Sequence, residues 1–343
     1  CRCEAHHRGA NRDETADRHG VAGIHDEVHD RLLDLTTVGV DRRQPAVERL
    51  VRDWEVHNLG EVEIVAQDAS STGAALGSNS YGVDATWHSR PQAYRWRALV
   101  HSHEGYALFP EGEARRQRLG AGVEYRAPRV TASGELSAAR SGGEAGVRGD
   151  FSLRISDHWL LSALADFNGN EVPLRGYRAG VETDAAGVTA TYSRDESLAV
   201  SAAVRGLRFT DGNGARSLFA DARYRLVNAP RSKLDLTGAV GASRSDRSDV
   251  AYFSPLADTT LLVGLRHEWR IFRRYERSVT QSTELAAGRY AEDGFPAGTI
   301  WRARYTLQWQ PGQRFAVSAG LERSRSLFDG VHEHSTGVVA TVR

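Results

Sequence analysis

The sequence predicts an all-β protein, a closed antiparallel transmembrane β-barrel of about 16 strands, and three observations carry that prediction. Apolar and polar residues alternate with a period of two over most of the chain. Sixteen or seventeen such segments follow one another with short links, more than the seven to nine strands of a sandwich. Aromatic residues recur at segment ends, as in the girdles that flank the apolar band of an outer-membrane barrel.

Residues 299–310 show the pattern most plainly. One register holds Trp301, Ala303, Tyr305, Leu307 and Trp309; the other holds Ile300, Arg302, Arg304, Thr306 and Gln308. Eight residues at ~3.3 Å rise and ~40° tilt separate the two indoles by roughly 20 Å along the barrel axis, close to the ~25 Å apolar band.

In chain order, residues 1–52 form an N-terminal segment expected to be disordered or weakly helical, either a linker remnant or foreign sequence. Residues 1–20 are rich in Arg, His and Asp, and a short helix is expected within 30–52. Residues 53–343 form the barrel. Its first segment, from Trp54 to Ala66, is expected to be a lead-in or partial strand. Outward-facing apolar sets then begin at Tyr81, Trp96, Leu119, Val130, Phe151, Trp159, Tyr177, Val188, Val200, Leu218, Leu234, Leu261, Val279, Trp301, Phe315 and Val338. Asn168-Gly169, Ala186-Gly187 and Pro311-Gly312 have the chemistry of tight turns, whereas 104–114 and 245–258 read as longer links on one rim or folded inward.

Composition narrows the function classes. The formal net charge is +0 and the pI about 7.4, so nothing points to a nucleic-acid partner. No run approaches the ~18 apolar residues of a membrane helix, and a mean hydropathy of −0.47 reflects lumen-facing residues diluting lipid-facing ones. Cys1 and Cys3 are the only cysteines, so the main body has no disulfide framework. Methionine is absent, at position 1 included, which predicts a chain cut from a longer product.

The signals for chemistry are weak. His101 and His103 share a strand face without a specified third ligand, and are expected to be solvated strand-end or loop residues; no metal site or cofactor is assigned. No Gly-x-Ser-x-Gly elbow appears, and no catalytic residue is assigned.

Five stretches, 172–178 (Val-Pro-Leu-Arg-Gly-Tyr-Arg), 209–216 (Phe-Thr-Asp-Gly-Asn-Gly-Ala-Arg), 251–255 (Ala-Tyr-Phe-Ser-Pro), 273–278 (Arg-Arg-Tyr-Glu-Arg-Ser) and 328–333 (Phe-Asp-Gly-Val-His-Glu), occur in this order. Together they resemble the C-terminal barrel of the poly-β-1,6-N-acetyl-D-glucosamine export porins, over residues 55–343. The resemblance implies a sixteen-stranded outer-membrane pore that secretes a biofilm exopolysaccharide. It also implies an acidic lumen suited to a partly deacetylated poly-N-acetylglucosamine, and a periplasmic polysaccharide deacetylase as partner through a helical repeat domain. Residues 1–52 are too short for two such repeats, and the chain stops at Arg343 where such barrels usually end on an aromatic residue.

On that reading the polymer path is lined by the inward carboxylates Glu124, Glu135, Asp150, Asp166, Glu182, Asp221, Asp235, Glu268 and Glu284. They either steer ammonium groups or form cross-strand ion pairs with inward arginines. Rim candidates are Asp211, Asn213, Tyr252, Phe253 and Asp329, with Tyr252 and Phe253 placed to stack on sugar rings. Outer-membrane lipid is the other partner. The alternatives are a general porin or an outer-membrane enzyme on the same barrel, and a soluble carbohydrate-binding β protein.

Overall fold

The computed structural model describes residues 45–73, 75–140 and 145–343. Helix α1 (Pro45–His57) is followed by sixteen strands. These are β1 (Glu61–Ser71), β2 (Asn79–His88), β3 (Trp96–Phe109), β4 (Gly112–Arg126), β5 (Val130–Ala139), β6 (Ala145–Arg154), β7 (Trp159–Phe167) and β8 (Thr183–Asp195). The second half is β9 (Leu198–Phe209), β10 (Gly214–Asn228), β11 (Ser232–Ser245), β12 (Ala257–Arg274), β13 (Arg277–Glu292), β14 (Gly298–Gln310), β15 (Val317–Phe328) and β16 (Val331–Val342). Each strand pairs antiparallel with its sequence neighbours, and β1 closes on β16 from Ile64↔Val342 to Ser71↔Ser335. Closure removes both sheet edges.

Register decides what each side chain meets. Trp301, Ala303, Tyr305, Leu307 and Trp309 pair on one face with Arg325, Arg323, Leu321, Ala319 and Val317. Tyr305, Leu307 and Trp309 on that face are exposed, while Arg302 and Arg304 on the other are half-buried. The same split runs around the wall: Val83, Leu119, Leu136, Val188, Leu218, Val263 and Leu285 are exposed on the outside. An exposed apolar surface running round the whole barrel fits hydrocarbon, not water. Among the described residues no helix is long and apolar enough to cross a membrane; the strands make the crossing.

The start of β1 and the end of β16 share one rim, called proximal here; the opposite rim is distal. Trp87, Trp96, Trp159, Tyr224, Trp269 and Trp309 stand exposed near the proximal strand ends and form an aromatic girdle. Trp159 packs on Tyr192 with ring centroids 5.1 Å apart.

The structure corrects several boundaries. The predicted junction at 52/53 falls inside α1, and residues 1–44, with Cys1, Cys3 and the first half of the expected 30–52 helix, lie outside the described residues. The lead-in from Trp54 to Ala66 splits: its first part ends α1, and Glu61 onward is the full closing strand β1. The supposed strand at Tyr177–Val181 is instead a five-residue helix, α2 (Leu174–Arg178), and the coil after it. Two errors therefore cancelled in the strand count. Ala186-Gly187 lies within β8, and Asn168-Gly169 opens the long β7–β8 link instead of a tight turn. The expected long link at 104–114 is the two-residue turn between β3 and β4.

Candidate functional site

The lumen wall is built by the inward register. Eight of the nine carboxylates assigned to it from sequence lie there: Glu124, Glu135, Asp150, Asp166, Asp221, Asp235, Glu268 and Glu284. Glu182 does not. It belongs to the β7–β8 link, where its backbone N–H donates to Thr210 Oγ1 (2.9 Å) and its carbonyl accepts from Thr210 N (3.1 Å). The even alternation of 177–182 hides the end of that link.

Most inward acids have a basic neighbour. Arg126 Nε reaches Glu124 at 2.6 Å, Arg148 reaches Asp150 at 2.8 Å and Asp166 at 3.8 Å, and Arg302 reaches Glu284 at 2.7 Å. Lys233 lies directly opposite Glu268, with 3.8 Å between their charges. Arg225 donates through Nε to Asp235 Oδ1 (2.8 Å), directly opposite, and the two side chains are only 4% and 5% exposed. Arg304 and Glu322 also pair across β14 and β15. Arg225–Asp235, Lys233–Glu268, Arg302–Glu284, Arg304–Glu322 and Arg148–Asp166 pair across strands, whereas Arg126–Glu124 and Arg148–Asp150 pair within one strand. The lumen is a ladder of both signs and not a plain acidic track.

Glu135 is different. Its Oε1 lies 3.1 Å from His101 Nδ1, whose Nε2 lies 3.3 Å from Asp84 Oδ1; His103 Nδ1 approaches the same oxygen at 2.9 Å. His101 and His103 are thus largely buried mid-strand residues on the lumen face, and the strand-end or loop expectation fails. Both ring nitrogens of His101 thus face carboxylates. Sequence reading missed Asp84 as the centre of this group, although its spacing from the two histidines follows once β2 and β3 are registered.

At the distal mouth two links fold inward. The β7–β8 link carries α2 across to β3 and β4. Leu174 packs on Ala107, Phe109 and Ala114. Arg175 donates to Glu111 through Nε (2.5 Å) and Nη2 (3.2 Å), and Arg178 donates to the Glu111 and Glu113 carbonyls. From the wall, Arg116 donates to the carbonyls of Val172 (2.7 Å) and Asn170 (2.8 Å), and Arg205 pairs with Glu171. The Arg175 hydrogen bond holds the Glu111 carboxyl below the usual carboxylate range.

The β11–β12 link meets it. Val172, Val181 and Tyr252 from the two links form one buried cluster with the inward Ala185, Leu207, Phe209 and Ala215. Asn213, 1% exposed, donates through Nδ2 to Tyr252 Oη (3.2 Å) and Ser254 Oγ (2.9 Å), and its Oδ1 accepts from Arg247 N (3.0 Å). Asp211 Oδ1 accepts from Asn213 N (3.0 Å). Burial pushes the Tyr252 phenol up. Phe253 stacks edge-on against Phe328, centroids 4.9 Å apart. Asp329 and Gly330, both with positive φ (50° and 74°), make the tight β15–β16 turn, and Asp329 N donates to Glu292 Oε2 (3.1 Å). All five rim candidates therefore sit at the distal mouth. Tyr252 is packed in the plug in this conformation and Phe253 is half-buried against Phe328, so neither ring lies open in the channel.

The proximal mouth is held otherwise. Helix α1 is tied to the rim by Gln313 Nε2 donating to Asp53 Oδ1 (2.8 Å), by the exposed Arg314–Glu55 and Arg52–Glu276 pairs, and by Arg97 Nη2 donating to the His57 carbonyl (3.3 Å).

Comparison with known proteins follows this geometry. A model of the PgaA membrane beta barrel domain matches residues 56–341. The Poly-beta-1,6-N-acetyl-D-glucosamine export proteins of Escherichia coli K12 and O157:H7 are each 23% identical over 311 residues, covering 89% of this chain and 38% of theirs. The chain thus spans under two fifths of the length of these curated relatives. A solved "Bacterial polysaccharide outer membrane secretin" superposes with a TM-score of 0.77 at 18% identity, over 83% of this chain and 98% of that one. That likeness concerns the fold. With its lipid-facing wall, charged lumen and matched length, the chain belongs to the family of the PgaA membrane beta barrel domain and is an outer-membrane barrel.

Proposed function

We propose that this barrel is the pore through which a linear, partly deacetylated poly-N-acetylglucosamine leaves the cell. The observation that carries the reading is the closed wall whose inward register is a ladder of charged and hydroxyl side chains beneath an inward-folded distal plug. A pore passes a polymer when its sites are weak and repeated. Carboxylates already engaged by arginine offer an ammonium group a shared, partial charge, and the arginines offer donors to hydroxyl and N-acetyl oxygens. Glu135 and Asp84 are inward acids that rest on histidine, and the strongest local attraction for an ammonium lies there.

Short proximal turns and the 168–182 and 246–256 links on the opposite rim support a periplasmic proximal mouth and an exterior distal one. The periplasmic deacetylase would then meet the protein on the α1 side, through sequence beyond this chain. No residue here is given a catalytic role: the grouped His and Asp side chains lie along the wall and aim at no nucleophile.

The test is secretion. The full-length protein carrying this barrel should restore surface polymer to a strain deleted for its own exporter. Glu135→Gln with Asp84→Asn should lower export and the cation preference of single channels. Full secretion by a strain whose barrel lumen is blocked by a disulfide across the mouth would overturn the reading.

A further inference from the structure

The outer face of the wall is electrically lopsided. In the outward register of β9–β16 there is no Asp or Glu at all: Asp221, Asp235, Asp258, Glu268, Glu284, Glu292, Glu322 and Glu333 all point inward. The same outward register carries six arginines in the distal half of their strands, Arg208, Arg216, Arg244, Arg289, Arg323 and Arg325, and Arg274 and Arg277 opposite each other at the proximal rim. The outward register of β1–β8 is the reverse. It holds Asp68, Glu104, Glu113 and Asp184, and Arg115, which is spent on Glu104 at 2.8 Å.

Three of the six arginines are contiguous. Arg216 lies directly opposite Arg244 across β10 and β11, and Arg208 is the diagonal neighbour of Arg216 across β9 and β10. All three are exposed, and among the described residues none makes an ion pair or side-chain hydrogen bond, although Asp184 stands directly opposite Arg208 across β8 and β9 and Asp246 lies beside Gly214, the residue opposite Arg208 on β10. Like charges directly opposite on a sheet repel, so the Arg216–Arg244 pair carries a local cost that a bound anion would relieve, while Arg208 at its edge faces Asp184. Height narrows the anion. Arg216 stands eight residues from the girdle residue Tyr224 on the same strand, roughly 20 Å along the barrel axis, with Leu218, Ala220 and Ala222 between. The guanidiniums therefore lie at the upper edge of the apolar band, where long basic side chains reach lipid headgroups.

We propose that Arg208, Arg216 and Arg244 form a docking site for a phosphorylated glycolipid of the outer leaflet, its acyl chains lying on the apolar wall below and its phosphates bridging the arginines. Planar guanidiniums suit phosphate by paired N–H donation. The site is outside the lumen and does not depend on what the pore exports.

The experiment uses the detergent-refolded full chain and deep-rough lipopolysaccharide, with its dephosphorylated form and phosphatidylglycerol as separate arms, read by native mass spectrometry and by the temperature at which heat-modifiable gel migration changes. Lipopolysaccharide should bind and raise that temperature. Arg216→Gln with Arg244→Gln should weaken binding by about thirtyfold, at roughly a fivefold loss for each arginine near a charged surface. In plain detergent the same double variant should be at least as stable as the parent, since the repulsion is gone, which separates lost binding from misfolding. Arg216→Lys should keep most of the binding and Arg115→Gln all of it. Equal binding by parent and double variant, by the dephosphorylated lipid, or by phosphatidylglycerol would overturn the proposal.

Discussion

The two mouths of the barrel are made from opposite materials. At the distal mouth, links from β7–β8 and β11–β12 share a buried apolar cluster, and Asn213 of the β9–β10 link is saturated by the second of them. At the proximal mouth α1 meets the rim through two exposed ion pairs, Arg314–Glu55 and Arg52–Glu276, and two part-buried hydrogen bonds, Gln313 to Asp53 and Arg97 to the His57 carbonyl. Exposed pairs contribute ~0–1 kcal/mol each, whereas buried contacts and satisfied buried polar groups contribute several times that. On the proposed reading, this difference puts the resistance to passage at the distal plug and makes the proximal end the entrance.

The sharpest way to break that comparison is to remove each barrier in turn. Replacing residues 170–181 with a short Gly-Ser link should raise single-channel conductance several-fold, because α2 and its share of the cluster leave the lumen. Deleting residues up to His57 should change it far less; the reverse order would refute the assignment. Next in size is the buried wall pair. Asp235→Ala takes from buried Arg225 its closest carboxylate, leaving the exposed Glu196 at 3.8 Å, and should destabilise the barrel by up to ~3 kcal/mol, read as a lower temperature of gel-shift conversion. Arg314→Ala, on an exposed pair at the same end, should leave that temperature unchanged.

Smaller again is Asn213→Ala, which strands Tyr252 Oη, Ser254 Oγ and Arg247 N-H without their amide partner. Loss of these bonds should cost the plug ~1–3 kcal/mol and speed hydrogen exchange in 246–256 without moving the strands. Least of all is acid. The Glu111 carboxyl is held below its ordinary range by Arg175, so the clasp is fully formed at neutral pH and is lost as pH falls through that depressed value. Conductance should rise modestly on strong acidification, and Arg175→Ala should abolish the rise.

Strands and their facing were legible because a wall between lipid and water writes a period of two into every segment. Trp301 to Trp309 shows this, and the inward placement of eight carboxylates followed from it. What was not legible has physical reasons. β1, expected only as a lead-in or partial strand, is placed by its hydrogen bonds to both β2 and β16, a closure that no pattern within one segment encodes. Tyr177, Ala179 and Val181 alternate like a strand, but α2 turns there to bring Leu174 and Arg175 onto β3 and β4. Glu182 was carried into the lumen by the same misreading. Nor does sequence distinguish a link that folds inward from one that stands out: Asn213 looks like a turn residue and is among the most buried side chains of the described residues.

Alternating cysteine accessibility on β13 and β14 tests the account most directly. With Cys1 and Cys3 changed to Ser, single cysteines at Glu284, Leu285, Arg302 and Ala303 would be probed in bilayers with a small, water-soluble, charged thiol reagent. Glu284→Cys and Arg302→Cys should react and alter conductance, while Leu285→Cys and Ala303→Cys stay unmodified. Reaction at Leu285 and Ala303 with protection at Glu284 and Arg302 would contradict a charged pore within a lipid-facing wall.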